Sequence, residues 1–242
     1  MRDIVLVAVY GLITALATGL GAVPFAFVKR ISARTEAFAN ALAAGLMLGA
    51  SFGLLAEGSH HGAWQTVIGA NAGLLFVLLA HRWIEDEDVS FGDVTGAGAR
   101  KMFLIVLVMT VHSFSEGVAV GAAFGGGTEL AFLITVAIAV HNIPEGLAIS
   151  AVLRPEGTSV LACAGWSIFS SLPQPLMAVP AYLLVETVRP ALPYGIGFAA
   201  GAMVFMVFLE LLPEAFEDAP RWAIGLLTSS SMAAMLLFQR LL

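Results

Sequence analysis

Long apolar runs dominate this sequence and restrict its fold more than any other feature. Several reach about 20 residues, the length of helix that crosses a hydrocarbon layer of about 30 Å. Hydrophobic residues occupy 59% of the 242 positions and charged residues only 12%. So few charges cannot cover the surface of a water-soluble domain of this size. The runs therefore predict an all-α, polytopic membrane protein.

Charged and turn residues divide the apolar sequence into eight candidate transmembrane helices. They are predicted at residues 4–28, 36–57, 64–84, 102–124, 130–152, 160–184, 191–212 and 221–241. Most connections between them are short, so neighbouring helices are expected to pack antiparallel in a single transmembrane domain over residues 1–242. The longest connection, 85–101, is acidic and rich in glycine.

The distribution of lysine and arginine predicts how the helices are oriented, because cytoplasmic loops carry an excess of both residues. The loops that follow the odd-numbered helices hold eight of them: Lys29, Arg30, Arg34, Arg82, Arg100, Lys101, Arg154 and Arg221. The opposite side, which includes both tails, holds Arg2, Arg189 and Arg240. This asymmetry places both termini on the non-cytoplasmic side of the cell membrane.

Two polar motifs, HSFSEG at 112–117 and HNIPEG at 141–146, interrupt the fourth and fifth apolar runs. In each motif a histidine precedes a glutamate by four residues, as His112 precedes Glu116 and His141 precedes Glu145. Residues four apart lie on the same face of a helix. The intervening Ser113 and Asn142 fall on the same broad sector. Each helix therefore carries a stripe of nitrogen and oxygen ligands.

The depth of the motifs indicates their chemistry. Each lies near the centre of its predicted helix, and the connection between the two helices is short, so a hairpin would bring both stripes together at the bilayer midplane. A lone ionised residue there costs at least about 2.5–3.5 kcal/mol, and it must face a partner or water. Two imidazoles and two carboxylates suit Zn²⁺ and other first-row cations, whereas Ca²⁺ and Mg²⁺ prefer oxygen alone.

Other functions are open to such a pair of stripes. They could form a buried polar network that only joins two helices, or His–Glu relays in a proton-coupled carrier of an organic substrate. A membrane metalloenzyme is a further alternative, but the HExxH motif is absent and five histidines are few for such a site. The sequence thus favours a transporter over an enzyme. It has no basic patch that would indicate a nucleic acid partner.

The paired motifs in consecutive helices resemble those of the Zrt-/Irt-like (ZIP) family of divalent metal transporters. The resemblance extends to eight helices and a cytoplasmic loop after the third. It implies a 3+2+3 arrangement, in which helices 1–3 and 6–8 are inverted repeats around helices 4 and 5. A faint sequence similarity between AAGLMLGASFGLLAEG (43–58) and AAGAMVFMVFLELLPEA (199–215) agrees with such a repeat. A homodimer in the lipid bilayer is implied by analogy only.

The resemblance also implies a binuclear transport site. His112, Glu116, His141 and Glu145 match the principal ligands, and Ser113 and Asn142 match positions that line a second metal subsite. Met47 corresponds loosely to a further ligand. Relatives commonly have a glutamate where this chain has Gln174, within SSLPQP. A glutamine keeps a carbonyl ligand but lacks the negative charge, so the second subsite is expected to bind a cation less tightly.

These observations predict uptake of a divalent cation into the cytoplasm, with zinc favoured and iron, manganese or cadmium as further cargo. The midplane ligands would replace the water shell of the ion. Rocking of the outer repeats against the central pair would open the site to each side in turn. The metal is then cargo, and no cofactor is expected.

Overall fold

The computed structural model describes residues 2–86, 97–155 and 157–241, with side chains over 3–82, 106, 109–155 and 157–240. Every regular element in these ranges is helical, which confirms the predicted all-α class. The α-helices are α1 (Arg2–Gly19), α2 (Ala33–Asp86), α3 (Ala97–Gly126), α4 (Thr128–Leu153), α5 (Val160–Ser170), α6 (Pro173–Thr187), α7 (Leu192–Met206), α8 (Leu212–Asp218) and α9 (Arg221–Leu241).

Six stretches of the described chain are long and apolar enough to cross a membrane. They are Asp3–Ala26, Ala33–Arg82, Thr128–Leu153, Val160–Thr187, Arg189–Asp218 and Arg221–Arg240. The second has 50 residues, more than twice the length that one crossing needs. It is interrupted at Gly62, where the backbone is extended rather than helical. The chain is a multi-pass membrane protein, and the exact number of eight spans stays a prediction.

The predicted sixth helix, 160–184, is not continuous. α5 ends at Ser170 and α6 begins at Pro173, because the proline nitrogen has no hydrogen to donate to the preceding turn. Proline is well suited to the first position of a helix, where the missing donor is not needed. The next residue, Gln174, donates its backbone N–H to the Ser171 carbonyl at 3.0 Å. The break therefore places Gln174 in the first turn of α6.

Two other predicted helices have different ends from those expected. The first was predicted at 4–28, but the α-helix stops at Gly19 and continues as a 3₁₀-helix from Leu20 to Ala26, which contains Pro24. The seventh was predicted to end at 212. Instead α7 passes through a π-helical turn, Val207–Leu211, into α8, which begins at Leu212 with Pro213. In both places a proline removes one donor from the regular α-helical ladder.

α3 and α4 form the predicted hairpin. Gly127 joins them with a φ of 124°. Residues other than glycine rarely adopt this backbone conformation. α1 and α6 pack against this hairpin, and α2 and α7 also contact it. His112 lies half-way along α3, and His141 lies half-way along α4. The fold thereby brings the two polar motifs to the same level.

A candidate metal centre between α3 and α4

Four ligand-bearing side chains meet between α3 and α4. His112, Glu116, His141 and Glu145 each offer one ligand atom, and these atoms lie within 4.8 Å of one another. All four side chains are buried, with exposed fractions of 0–3%. The two stripes predicted from the sequence thus face one another and form a single cluster, which we call the His–Glu cluster.

The principal contacts in the His–Glu cluster run between the helices. His112 Nε2 lies 3.0 Å from Glu145 Oε1, and His141 Nε2 lies 2.5 Å from Glu116 Oε1. The pairs within each helix are longer, at 3.5 Å for His112 with Glu116 and 4.0 Å for His141 with Glu145. Each histidine is therefore held by the glutamate of the other helix, and the hairpin closes around the cluster.

The electrostatic balance of the cluster depends on the two histidines. Within the described part of the chain, they are the only ion-pair partners of Glu116 and Glu145. Both histidines also have a buried Nδ1 atom with no hydrogen-bond partner in the part of the chain that the structure describes. A network that served only to join two helices would be expected to satisfy these atoms, because unpaired buried polar groups are costly. The cluster therefore differs from a fully hydrogen-bonded polar network.

A layer of amides lies beside the cluster. The Gln174 amide nitrogen donates to Glu116 Oε2 at 2.5 Å and lies 3.5 Å from the Ser113 hydroxyl. The Gln174 carbonyl oxygen accepts from Asn142 Nδ2 at 3.2 Å. Ser113, Asn142 and Gln174 are all buried. The structure therefore brings these predicted residues together, but the glutamine presents its NH₂ group, and not its carbonyl, to the glutamate.

Met47 occupies a different environment from the polar residues. Its side chain is completely buried in the large hydrophobic core, with neighbours such as Ala44 and Leu48. Its backbone carbonyl accepts a hydrogen bond from the Ser51 hydroxyl at 2.8 Å. Neither contact joins Met47 to the seven polar side chains described above, and its role as a further ligand stays a prediction.

Thr14 belongs to the same neighbourhood, although the sequence analysis assigned it no role. Asn142 Nδ2 donates to the Thr14 backbone carbonyl at 2.9 Å, which connects α4 to α1. The Asn142 carbonyl oxygen is buried and has no partner among the described residues. A contact to a backbone carbonyl on a distant helix depends on tertiary packing, so no residue pattern around Thr14 could have indicated it.

Comparison with known proteins agrees with this geometry. Residues 87–237 match the family model described as ZIP zinc transporter. That match includes α3, α4 and both polar motifs. The chain belongs to the ZIP zinc transporter family. The resemblance inferred from the two motifs is therefore confirmed.

Individual ZIP relatives extend the match beyond that range. The chain is 47% identical over 233 residues to a putative zinc transporter of Arabidopsis thaliana, covering 95% of this chain and 38% of the relative. It is 31% identical over 220 residues to the zinc transporter GufA of Myxococcus xanthus, covering 85% of this chain and 87% of that protein. The chain thus spans about two fifths of the plant relative and most of the bacterial one.

Proposed function

We propose that this ZIP protein is a carrier that moves Zn²⁺, or a similar dication such as Fe²⁺, Mn²⁺ or Cd²⁺, into the cytoplasm. The observation that carries the proposal is the His–Glu cluster, in which two imidazoles and two carboxylates lie within 4.8 Å inside an apolar helical hairpin. Its relatives are named as zinc transporters, which supports zinc as the first cargo to test.

The composition of the cluster suits a first-row cation. Zn²⁺ accepts imidazole nitrogen and carboxylate oxygen in a four-coordinate tetrahedral shell with bonds of about 2.0–2.2 Å. Ligand atoms in such a shell lie about 3.3–3.6 Å apart. To bind one ion, the pairs now at 2.5 and 3.0 Å must separate slightly, and the widest pairs, within 4.8 Å, must approach by about 1 Å. A dication also neutralises two carboxylates that are otherwise costly at this depth.

The Asn142 carbonyl oxygen and Ser113 lie beside these ligands and extend the proposed site. The Asn142 oxygen is a buried acceptor without a partner among the described residues, and it neighbours His141 in the sequence. Such an oxygen suits a dication during ligand exchange, when water is replaced stepwise. We therefore assign His112, Glu116, His141 and Glu145 as principal ligands, with Asn142 and Ser113 as auxiliary ones.

Transport requires that the buried cluster be exposed to each side in turn. Asn142 is hydrogen-bonded to α1 through the Thr14 carbonyl and to α6 through Gln174. These bonds favour movement of the hairpin together with α1 and α6. The hairpin, α1 and α6 would then move as one unit and slide against α2 and α7. This differs from a movement of both outer repeats against the hairpin alone. Uptake would follow the predicted orientation, in which both termini lie outside the cytoplasm.

An entrance is suggested at the end of the hairpin that holds the α3–α4 connection. A cavity of about 500 Å³ there is lined by Glu57, Glu129 and the residues around Gly127. The imidazole of His61 lies 3.1 Å from Glu57. Under the predicted orientation this end faces outward, so these acidic side chains would attract a cation before it reaches the cluster.

Uptake of radioactive zinc into proteoliposomes tests the proposal. The unchanged protein should accumulate zinc, and Glu145→Ala should abolish this uptake because one of four ligands is lost. Glu186→Ala is the matched control, since Glu186 is exposed and pairs only weakly with Arg189 at 3.5 Å. A competition panel with the other dications identifies the preferred cargo. Unchanged zinc uptake by Glu145→Ala would show that the cluster is not the transport site.

A further inference from the structure

The two carboxylate oxygens of Glu116 have different partners. Oε1 faces the histidines, at 2.5 Å from His141 Nε2 and 3.5 Å from His112 Nε2. Oε2 faces away from them and accepts a hydrogen bond from the Gln174 amide nitrogen. Only one oxygen of this carboxylate is therefore directed toward the centre of the His–Glu cluster.

The orientation of the Gln174 amide follows from the chemistry of its neighbours. A carboxylate only accepts hydrogen bonds, so the group that faces it must be the NH₂ of the amide. The Gln174 carbonyl then faces Asn142, whose own NH₂ can donate to it. Reversing the Gln174 amide would place two oxygens against each other at Glu116 and two NH₂ groups against each other at Asn142. The network thus specifies one orientation.

The backbone of Gln174 is fixed by close packing on two sides. A Cβ atom added to Gly117 of α3 would lie 2.6 Å from the backbone carbonyl oxygen of Gln174. A Cβ atom added to Gly11 of α1 would lie 2.7 Å from the Pro175 Cα atom. Pro173 and Pro175 flank Gln174 in the first turn of α6. With the backbone wedged in this way and the side chain completely buried, the amide has little freedom to leave Glu116.

We propose, on the basis of the transport function proposed above, that Gln174 is a positioning residue that makes Glu116 a one-oxygen ligand and restricts the cluster to a single four-coordinate cation. Its N–H protons occupy the side of Oε2 where a second cation would have to approach. One atom from each of four side chains gives the tetrahedral shell of Zn²⁺. Ions that prefer six or more oxygens, such as Mn²⁺ and Ca²⁺, gain no bidentate carboxylate from Glu116.

The experiment measures metal stoichiometry and selectivity on the purified 242-residue chain. Isothermal titration and elemental analysis of the unchanged chain should give one zinc ion for each chain. Gln174→Leu removes the donor at similar size, which leaves Oε2 available to a metal. Zinc affinity should then fall by about tenfold, as is typical when the outer-shell partner of a ligand is lost, and the zinc-over-manganese affinity ratio should fall because Mn²⁺ gains a second carboxylate oxygen. Gln239→Leu, on α9, is the control and should keep the original ratio.

Two further readouts separate positioning from a general packing effect. Bound Co²⁺ absorbs visible light strongly when four-coordinate and weakly when six-coordinate, so Gln174→Leu should weaken the spectrum of the Co²⁺-loaded protein. Gln174→Glu replaces the donor by a second carboxylate beside Oε2, and it should bind a second zinc ion. It remains informative even where the leucine variant does not fold.

The inference and the proposed function fail in different ways. Two zinc ions for each unchanged chain, or an unaltered selectivity ratio and Co²⁺ spectrum in Gln174→Leu, would overturn the role of Gln174 alone. Absence of zinc binding by the unchanged protein, or unchanged binding by Glu145→Ala, would overturn the metal site itself.

Discussion

Two tightly packed regions of this molecule use small residues for different purposes. Where α2 packs on α7, Gly73 and Gly201 admit backbone carbonyls of Phe198 and Ala70 so closely that no side chain would fit. The contact joins two helices whose backbone groups already have partners. Around the His–Glu cluster, similar packing encloses imidazole and amide atoms that have no partner among the described residues. The first region stabilises the fold, whereas the second is the proposed cation site.

The largest difference between the regions should appear when a ligand side chain is removed. Glu116→Ala should lower zinc uptake by about two orders of magnitude or more, beyond the 10–100-fold typical for an outer-shell partner. The unfolding temperature should also fall, because removing one partner leaves buried His141 and the Gln174 amide without their acceptor. Uptake into proteoliposomes and thermal unfolding monitored by size-exclusion chromatography check both parts. A folded Glu116→Ala protein that retains full zinc uptake would show that the cluster does not bind the transported ion.

A substitution at the α2–α7 contact should act through stability alone. Gly73→Val should destabilise the protein by about 1–3 kcal/mol or more through overpacking, and the yield of folded protein should decrease sharply. Gly225→Val on α9 is the matched control, because no described atom beyond the local helix backbone lies within 4 Å of the position where its side chain would begin. If both variants purify equally well, the close approach of α2 and α7 does not determine stability.

Acidification should affect the His–Glu cluster and leave the α2–α7 contact unchanged. Metal binding requires deprotonated imidazole and carboxylate groups, so protons and the cation compete for the same atoms. Uptake should therefore decrease, by about tenfold, between about pH 7.5 and about pH 5.5, and excess zinc should partly restore it. Uptake measured across this range at two zinc concentrations checks the sign. A rate that rises in acid would contradict competition at these ligands.

A smaller loss of uptake is expected when the hydrogen bonds that connect α4 to α1 and α6 are removed. Asn142→Ala removes the bonds from α4 to Thr14 and Gln174, and it should lower uptake by about tenfold and stability by about 1 kcal/mol. Asn71→Ala is the control, since the exposed Asn71 amide donates only to the Val67 carbonyl of its own helix. Equal uptake by the two variants would indicate that α1 and α6 do not move with the hairpin.

Much of the fold could be predicted because it depends on local patterns. The lengths of the apolar runs are sufficient for helices in a membrane, and the HSFSEG and HNIPEG motifs mark the helical faces that meet. The break before Pro173 was also readable in principle, since proline cannot donate to the preceding turn. The apolar run continues past Pro173, so hydrophobicity alone predicts one continuous helix. Hydrophobicity carries no information about the missing N–H group of proline.

The sequence by itself determined which side chains of the two motifs share a helical face and where along each helix they lie. Spacing of four places each histidine above its glutamate, and the centres of two helices joined by a short connection must meet. Only the tertiary structure decided the partners: His112 with Glu145, His141 with Glu116, Asn142 with the Thr14 carbonyl, and the Gln174 amide with Glu116. The physical reason is that a helical repeat specifies which face a side chain occupies, whereas hydrogen-bond partners depend on the rotation and separation of neighbouring helices.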